Sequence, residues 1–131
     1  MRRAVLDASV AIDWLVQGTA QREIEEFDSL VAPTHFDAEV ANGLRRIWLA
    51  GEIHDTEFAE RALRIPRLPV ARCAWLHLLP RTLALAATIT MYDAAYVAIA
   101  EELGAPLCTL DSRLTRAPSA KCAFILLSHQ R

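Results

Sequence analysis

Cysteine is scarce in this 131-residue chain, and the little there is does not pair in sequence. Cys73, Cys108 and Cys122 form no C-x-x-C. An odd count at such spacing argues against a disulfide framework or a thiolate zinc site. Reduced, buried thiols are expected. Lysine is nearly missing: Lys121 stands alone among 14 basic residues, and the rest are Arg. Arg is the better phosphate clamp, although GC-rich coding produces the same bias. No run approaches the roughly 18 apolar residues of a membrane span. The opening Met1-Arg2-Arg3-Ala4-Val5-Leu6-Asp7 lacks the apolar stretch of a secretory signal, so a cytoplasmic location and no membrane partner are expected. Charge of one sign is not in excess. The net of −2 is too small for a field that draws in nucleic acid from a distance. There is no G-x-G-x-x-G, no P-loop and no G-x-S-x-G elbow, which removes the commonest nucleotide-binding and serine-hydrolase signatures. Repeats, low-complexity tracts and linkers are also absent. The length fits one domain, residues 1–131.

What is present is apolar: 53% of residues are hydrophobic, with a mean hydropathy of +0.20. Such a composition suits buried helices, a buried sheet, or an apolar surface shared with a partner. Short apolar runs alternate with helical periodicity along the chain. Strands are expected at Ala4–Leu6, Leu30–Ala32, Leu68–Cys73, Leu107–Leu110 and Ala123–Leu127, the last as a buried strand. Helices are expected over Ala8–Val16, Ala20–Phe27, Phe36–Trp48, Thr56–Leu63 with Asp55 as N-cap, Leu78–Ala87, Tyr92–Leu103 and, briefly, Ser112–Arg116. In the third of these helices Phe36, Val40, Leu44, Ile47 and Trp48 share one face. The stretch Ala94-Ala95-Tyr96-Val97-Ala98-Ile99-Ala100 is apolar all round, the mark of a buried helix. Short, continuously apolar strands alternating with helices predict a parallel sheet covered on both faces.

Ligands of open parallel sheets bind beyond the carboxyl ends of the strands. Asp7 and Asp111 directly follow two of the expected strands, and Glu39 and Asp93 fall near the starts of two helices at that same edge. Topology alone therefore carries four carboxylates toward one rim. Each has a plainer explanation. Asp7 and Asp111 suit helix N-caps, Thr90-x-x-Asp93 resembles a capping box, and Glu39 sits at the margin of its apolar stripe. Together they say more. Like charges at 4 Å repel by about 4 kcal/mol at an effective dielectric near 20, and a divalent cation with hard oxygen ligands reverses that sign. Such an ion activates water and steadies a leaving oxygen, so no Ser, Cys or His nucleophile is needed. His35, His54, His77 and His129 show no metal-ligand spacing, and packing or surface roles are expected for them. A haloacid-dehalogenase-like phosphatase wants Asp-x-Asp after its first strand, where this chain has Asp7-Ala8-Ser9.

Four segments also carry a family resemblance. Val5-Leu6-Asp7-Ala8-Ser9-Val10 resembles the D-x-S opening of PIN-domain nucleases, and Glu39-Val40-Ala41-Asn42-Gly43-Leu44-Arg45 resembles their E-x-x-N-x-L/R helix. Tyr92-Asp93-Ala94-Ala95-Tyr96-Val97-Ala98-Ile99-Ala100 is similar to their Y-D-A-A-Y-V-A-L-A, and Thr109-Leu110-Asp111-Ser112-Arg113-Leu114 to their T-x-D-x-x-L ending. The resemblance implies a PIN-like α/β/α sandwich, three layers with a central parallel sheet of four to five strands. It implies Asp7, Glu39, Asp93 and Asp111 as metal-binding acids, supported by Ser9, Thr109 and Asn42. It implies an Mg²⁺- or Mn²⁺-dependent endoribonuclease of the VapC toxin type, acting on structured RNA such as tRNA or ribosomal RNA. A homodimer and a VapB-like antitoxin partner are implied with it. One departure is visible: Ser112-Arg113-Leu114-Thr115-Arg116 holds no further acid, where many members have one. Asp13 and Asp37 are candidates to compensate, and Arg45, Arg46, Arg113 and Arg116 to guide RNA. Two other readings stay open: an RNA- or antitoxin-binding protein that does not cut, and a small Mg²⁺-dependent phosphatase.

Overall fold

The computed structural model describes residues 1–128. His129 lies outside the described residues. Five strands form one sheet in the order β3-β2-β1-β4-β5, and all four pairings are parallel. The strands are β1 (Arg3–Leu6), β2 (Ser29–Pro33), β3 (Val70–Cys73), β4 (Leu107–Thr109) and β5 (Phe124–Leu126). The helices are α1 (Ala8–Val16), α2 (Gln21–Ile24), α3 (Phe36–Leu49), α4 (Asp55–Leu63), α5 (Leu79–Leu85) and α6 (Met91–Leu103). The chain steps outward from β1 to β2 and β3, then returns to place β4 on the other side of β1. Right-handed crossovers put the helices after β1 and β2 on one face and those after β3 on the other. Consistently, α1 packs on α3 and α3 on α4, whereas α6 packs on α5 and across β1, β2 and β4. The three-layer α/β expectation therefore holds, with five strands.

α6 is the centre of the core. Seven consecutive residues, Ala94 to Ala100, are at most 2% exposed, because the sheet lies beneath the helix and α5 beside it. Alanine at four of those positions lets the helix sit close to the strands. Gly104 ends it with φ +61°, a conformation that costs glycine no steric penalty. No helix among the described residues is long and apolar enough to cross a membrane.

Several elements differ from expectation, each for a local reason. α2 is one turn, Gln21–Ile24, instead of Ala20–Phe27; Ala20, Ile24 and Phe27 still face the core, but the Arg2 carbonyl takes the N–H groups of Asp28 and Ser29 at 2.8 and 3.2 Å and draws the chain into β2. α4 starts at Asp55 with His54 as N-cap. The Asp55 carboxylate is occupied by the Trp48 indole N–H at 2.8 Å, and Glu57 reaches back to the His54 N–H at 3.1 Å. β3 begins two residues late. Arg72 donates to the carbonyls of Leu68 and Ile65 at 3.0 and 2.6 Å, holding the preceding turn out of the sheet. After β4 the chain makes a 3₁₀ turn, Leu114–Arg116, where a longer helix was expected. β5 is one of the two edge strands and is half-buried, with Leu126 50% exposed. Cys108 is buried, as expected of the thiols, but Cys73 and Cys122 are only partly so; all three are free.

Candidate active site

The site lies at the reversal of strand order, beyond the carboxyl ends of β1 and β4. Asp7 follows β1 and is 7% exposed. It holds the N-cap position of α1, yet its side chain makes no capping bond. Its Oδ2 instead accepts from the hydroxyls of Ser9 and Thr109, each at 2.7 Å. Those hydroxyls are fixed in turn by accepting the N–H of Leu110 at 3.1 Å and of Asp111 at 3.0 Å. Thr109 is fully buried, so the β1–β4 rim is tied together from below. Asp111 behaves partly as the plainer explanation has it, since its Oδ1 accepts the Arg113 N–H at 2.9 Å. Glu39 stands in the first turn of α3 and Asn42 one turn on. Asp93 opens α6, its N–H capped by Thr90 Oγ1 at 3.1 Å.

Asp7, Ser9, Glu39, Asn42, Asp93 and Asp111 line one cleft of about 540 Å³, completed by Ile12, His35, Arg46 and Tyr92 among others. A second hollow of about 590 Å³ shares Asp93 and Asp111 and continues past Thr88, Thr90 and Arg113. Two acids thus sit on the ridge between adjoining hollows. Other candidates lie elsewhere. Asp13 is buried, accepts the Ala20 N–H at 2.8 Å and the Thr19 hydroxyl at 2.9 Å, and holds the turn after α1. Asp37 pairs with Arg72 at 2.9 Å. Neither lines the cleft. Of the four arginines, Arg46 lines the cleft and Arg113 the neighbouring hollow, while Arg45 and Arg116 are exposed and line neither. His54 and His77 have the surface roles expected, the latter 3.0 Å from Glu102.

His35 departs from that expectation. It precedes α3, lines the cleft, and places Nε2 3.0 Å from Glu39 Oε1. Tyr96, fully buried beneath, is the second residue that sequence reasoning left in the core alone: its hydroxyl makes no hydrogen bond of good geometry among the described residues. The i, i+4 spacing of His35 and Glu39 was the available signal for the first.

The electrostatics are those of crowded acids with no cation between them. Burial pushes the Asp7 carboxyl up, against the Ser9 and Thr109 hydrogen bonds that lower it, and the charge of Glu39 adds to the rise. Asp93 is pushed up to about 6 by burial and by the charges of Asp7, Glu39 and Asp111. The Tyr96 phenol is raised well above its ordinary range by burial, then by Glu39 and Asp7. Glu39 Oε1 is buried and makes no hydrogen bond of good geometry. Among the described residues, no three His, Cys, Asp or Glu side chains surround a common point as ligands. The acids line a wall without closing on one position. In kind, a set of hard oxygen donors that repel one another, one of them a buried orphan, fits a divalent cation.

Comparison with known proteins agrees with the sequence resemblance. The PIN domain family model matches residues 4–120. Ribonuclease VapC12 of Mycobacterium tuberculosis is 36% identical over 115 residues, covering 86% of this chain and 89% of that protein. Ribonuclease VapC9 of the same organism is 35% identical over 124 residues, covering 94% and 97%. Among solved structures, VapBC2 of Rickettsia felis, bound to a promoter DNA fragment, superposes with a TM-score of 0.69 at 12% identity, over 95% of this chain and 98% of that one. VapC20 of M. tuberculosis, a toxin that cleaves the sarcin-ricin loop, gives 0.67 at 15% identity, over 88% and 95%. These two share the fold.

Proposed function

The chain belongs to the PIN-domain family, and on that premise we propose that it is a metal-dependent endoribonuclease of the VapC toxin type. One observation carries this reading. Acids from four separate segments, Asp7, Glu39, Asp93 and Asp111, line a single cleft at the strand-order reversal. Burial and mutual charge raise two of them, Asp7 and Asp93. The relatives named ribonucleases point the same way.

Asp7, Asp93 and Asp111 would hold the main Mg²⁺ or Mn²⁺ ion, and Glu39 would complete the site or orient the attacking water. A divalent ion there supplies Lewis-acid activation of water and stabilisation of the leaving oxygen. The protein's own contribution is placement. Ser9 and Thr109 fix one oxygen of Asp7 and leave the other for the cleft. Thr90 orders the backbone that presents Asp93. Asn42 lines the same cleft, one turn beyond Glu39. Arg46 and Arg113 lie one to each hollow, where a strand crossing the Asp93–Asp111 ridge offers phosphates to both. In-line hydrolysis leaves a 5′-phosphate and a 3′-hydroxyl.

The substrate is structured RNA, tRNA or ribosomal RNA, as the sarcin-ricin activity of one fold relative suggests. The VapBC complex among the fold relatives supports a VapB-like antitoxin partner, and a homodimer and a cytoplasmic location complete the reading. The test is incubation of the purified protein with total cellular RNA, in Mg²⁺ or Mn²⁺ against EDTA, beside Asp93→Asn. Discrete fragments that need both metal and Asp93 are expected. Metal-independent binding with no cutting would replace the nuclease with a binding protein. Turnover of a phosphomonoester without RNA fragments would replace it with a phosphatase.

A further inference from the structure

We propose that His35 is a positioning residue that sets the span between Glu39 and Asp93 by bridging the two helices that carry them, an inference that rests on the nuclease reading above. Its Nε2 lies 3.0 Å from Glu39 Oε1, one turn into α3. The same nitrogen lies 3.2 Å from the carbonyl oxygen of Tyr92, the residue directly before Asp93 in α6. Both neighbours are acceptors, so Nε2 carries the hydrogen. One N–H therefore faces an acid-bearing turn of each helix.

The ring is not free to swing away. It makes edge contacts with Trp75, Tyr92 and Tyr96, at centroid distances of 6.3, 5.5 and 5.2 Å. The side chain is 18% exposed. The carbonyl of Tyr92 takes the well-formed hydrogen bond, and Glu39 Oε1 is held close without being satisfied. That is a useful arrangement for a metal-binding carboxylate. Its inner oxygen is kept beside a polarised N–H, while the side chain as a whole, 29% exposed, still lines the cleft. Without the N–H, the repulsion between two like-charged side chains on separate helices is unopposed at this point and widens the gap.

The variants separate the N–H from the ring. His35→Phe keeps the aromatic packing and loses the donor. His35→Gln sets an amide N–H near the place of Nε2. Mn²⁺ binding to the RNA-free protein is measured by calorimetry, together with Tm in EDTA and the Mn²⁺ concentration giving half-maximal RNA cleavage. His35→Phe is expected to weaken Mn²⁺ binding about tenfold, the lower end for loss of an outer hydrogen-bond partner. Its metal requirement for cleavage rises by the same factor, its Tm in EDTA falls by no more than a few degrees, and His35→Gln recovers most of these losses. If His35→Phe does not fold, His35→Asn takes its place, since its shorter amide does not reach, and the same weakening is expected. Wild-type Mn²⁺ affinity in the donor-less variant, or an equal loss in His35→Gln, overturns the bridge and leaves the nuclease reading standing. A wild-type protein that neither binds Mn²⁺ nor cuts RNA removes both.

Discussion

The two ends of α6 hold acids in opposite circumstances. At its C-terminal end, Glu101 is gripped by Arg81 through two hydrogen bonds of 2.7 and 3.0 Å and by the Lys121 N–H at 2.7 Å. Arg81 also donates to the Ser119 carbonyl at 2.7 Å. The guanidinium beside it holds the Glu101 carboxyl below its ordinary range. At the N-terminal end, Asp93 has the favourable side of the helix macrodipole and yet is pushed up to about 6. Helix position predicts the reverse. The macrodipole contributes about 0.3–1 kcal/mol per charge, which burial and three neighbouring carboxylates exceed. A structural acid is one whose countercharge is built into the chain, whereas the charges acting on Asp93 are those of other acids, Asp7, Glu39 and Asp111.

That contrast can be broken experimentally. The largest effect belongs to Asp93→Asn, which is expected to reduce RNA cleavage by about a thousandfold or more. It forfeits several kcal/mol of metal-borne stabilisation, at a factor of ten for each 1.36 kcal/mol. Full activity in this variant would erase the distinction between the two ends. Next is Arg81→Met, which strips the charge-assisted hydrogen bonds from Glu101 and is expected to lower stability by about 2 kcal/mol in urea unfolding. Its cleavage rate per folded molecule stays at the wild-type value. A nuclease defect there would mean that the paired end also serves the site.

Thr109→Val comes third. The buried hydroxyl lost there donates to Asp7 and accepts from Asp111, and about a tenfold fall in kcat is expected. The smallest effect is on pH dependence. Native Asp93 keeps its proton up to about 6, whereas the unfolded chain releases it near 4. Stability from this group is therefore present below pH 4 and lost as pH rises toward 6. The metal-free wild type loses Tm against Asp93→Asn over that window, by a few degrees. Glu101 works in the other direction: its contribution is present at neutral pH and lost as pH falls through its lowered native value. An Asp93→Asn curve parallel to wild type between pH 4 and 6 would remove the electrostatic side of the comparison.

Much of this architecture is legible from the residues because it depends on periodicity and strand ends. α1 matches its expected bounds, and the buried stretch of α6 is visible in seven apolar positions. The convergence of the four acids follows from the rule that places sites beyond carboxyl ends. The failures occur where a side chain reaches across the chain. Asp55 looks like a cap until Trp48 occupies it. Asp13 looks available until the backbone of Ala20 is seen bonded to it. His35 looks like packing because Trp75 and Tyr92, which orient it, come from segments some 40 and 57 positions away. Gly43 is similar: a Cβ there would collide with the Ile12 side chain, a close approach of α1 and α3 that neither helix's pattern reveals.

The hydrogen bond from Thr109 to Asp7 joins positions 102 apart, and it has a consequence in time. β1 and its acid leave the ribosome early, but their partner on β4 arrives near the end of translation. Until then Asp7 has no floor beneath it and Asp111 no place in the rim. The four-acid rim is therefore a late feature of the chain, complete only once β4 is paired with β1.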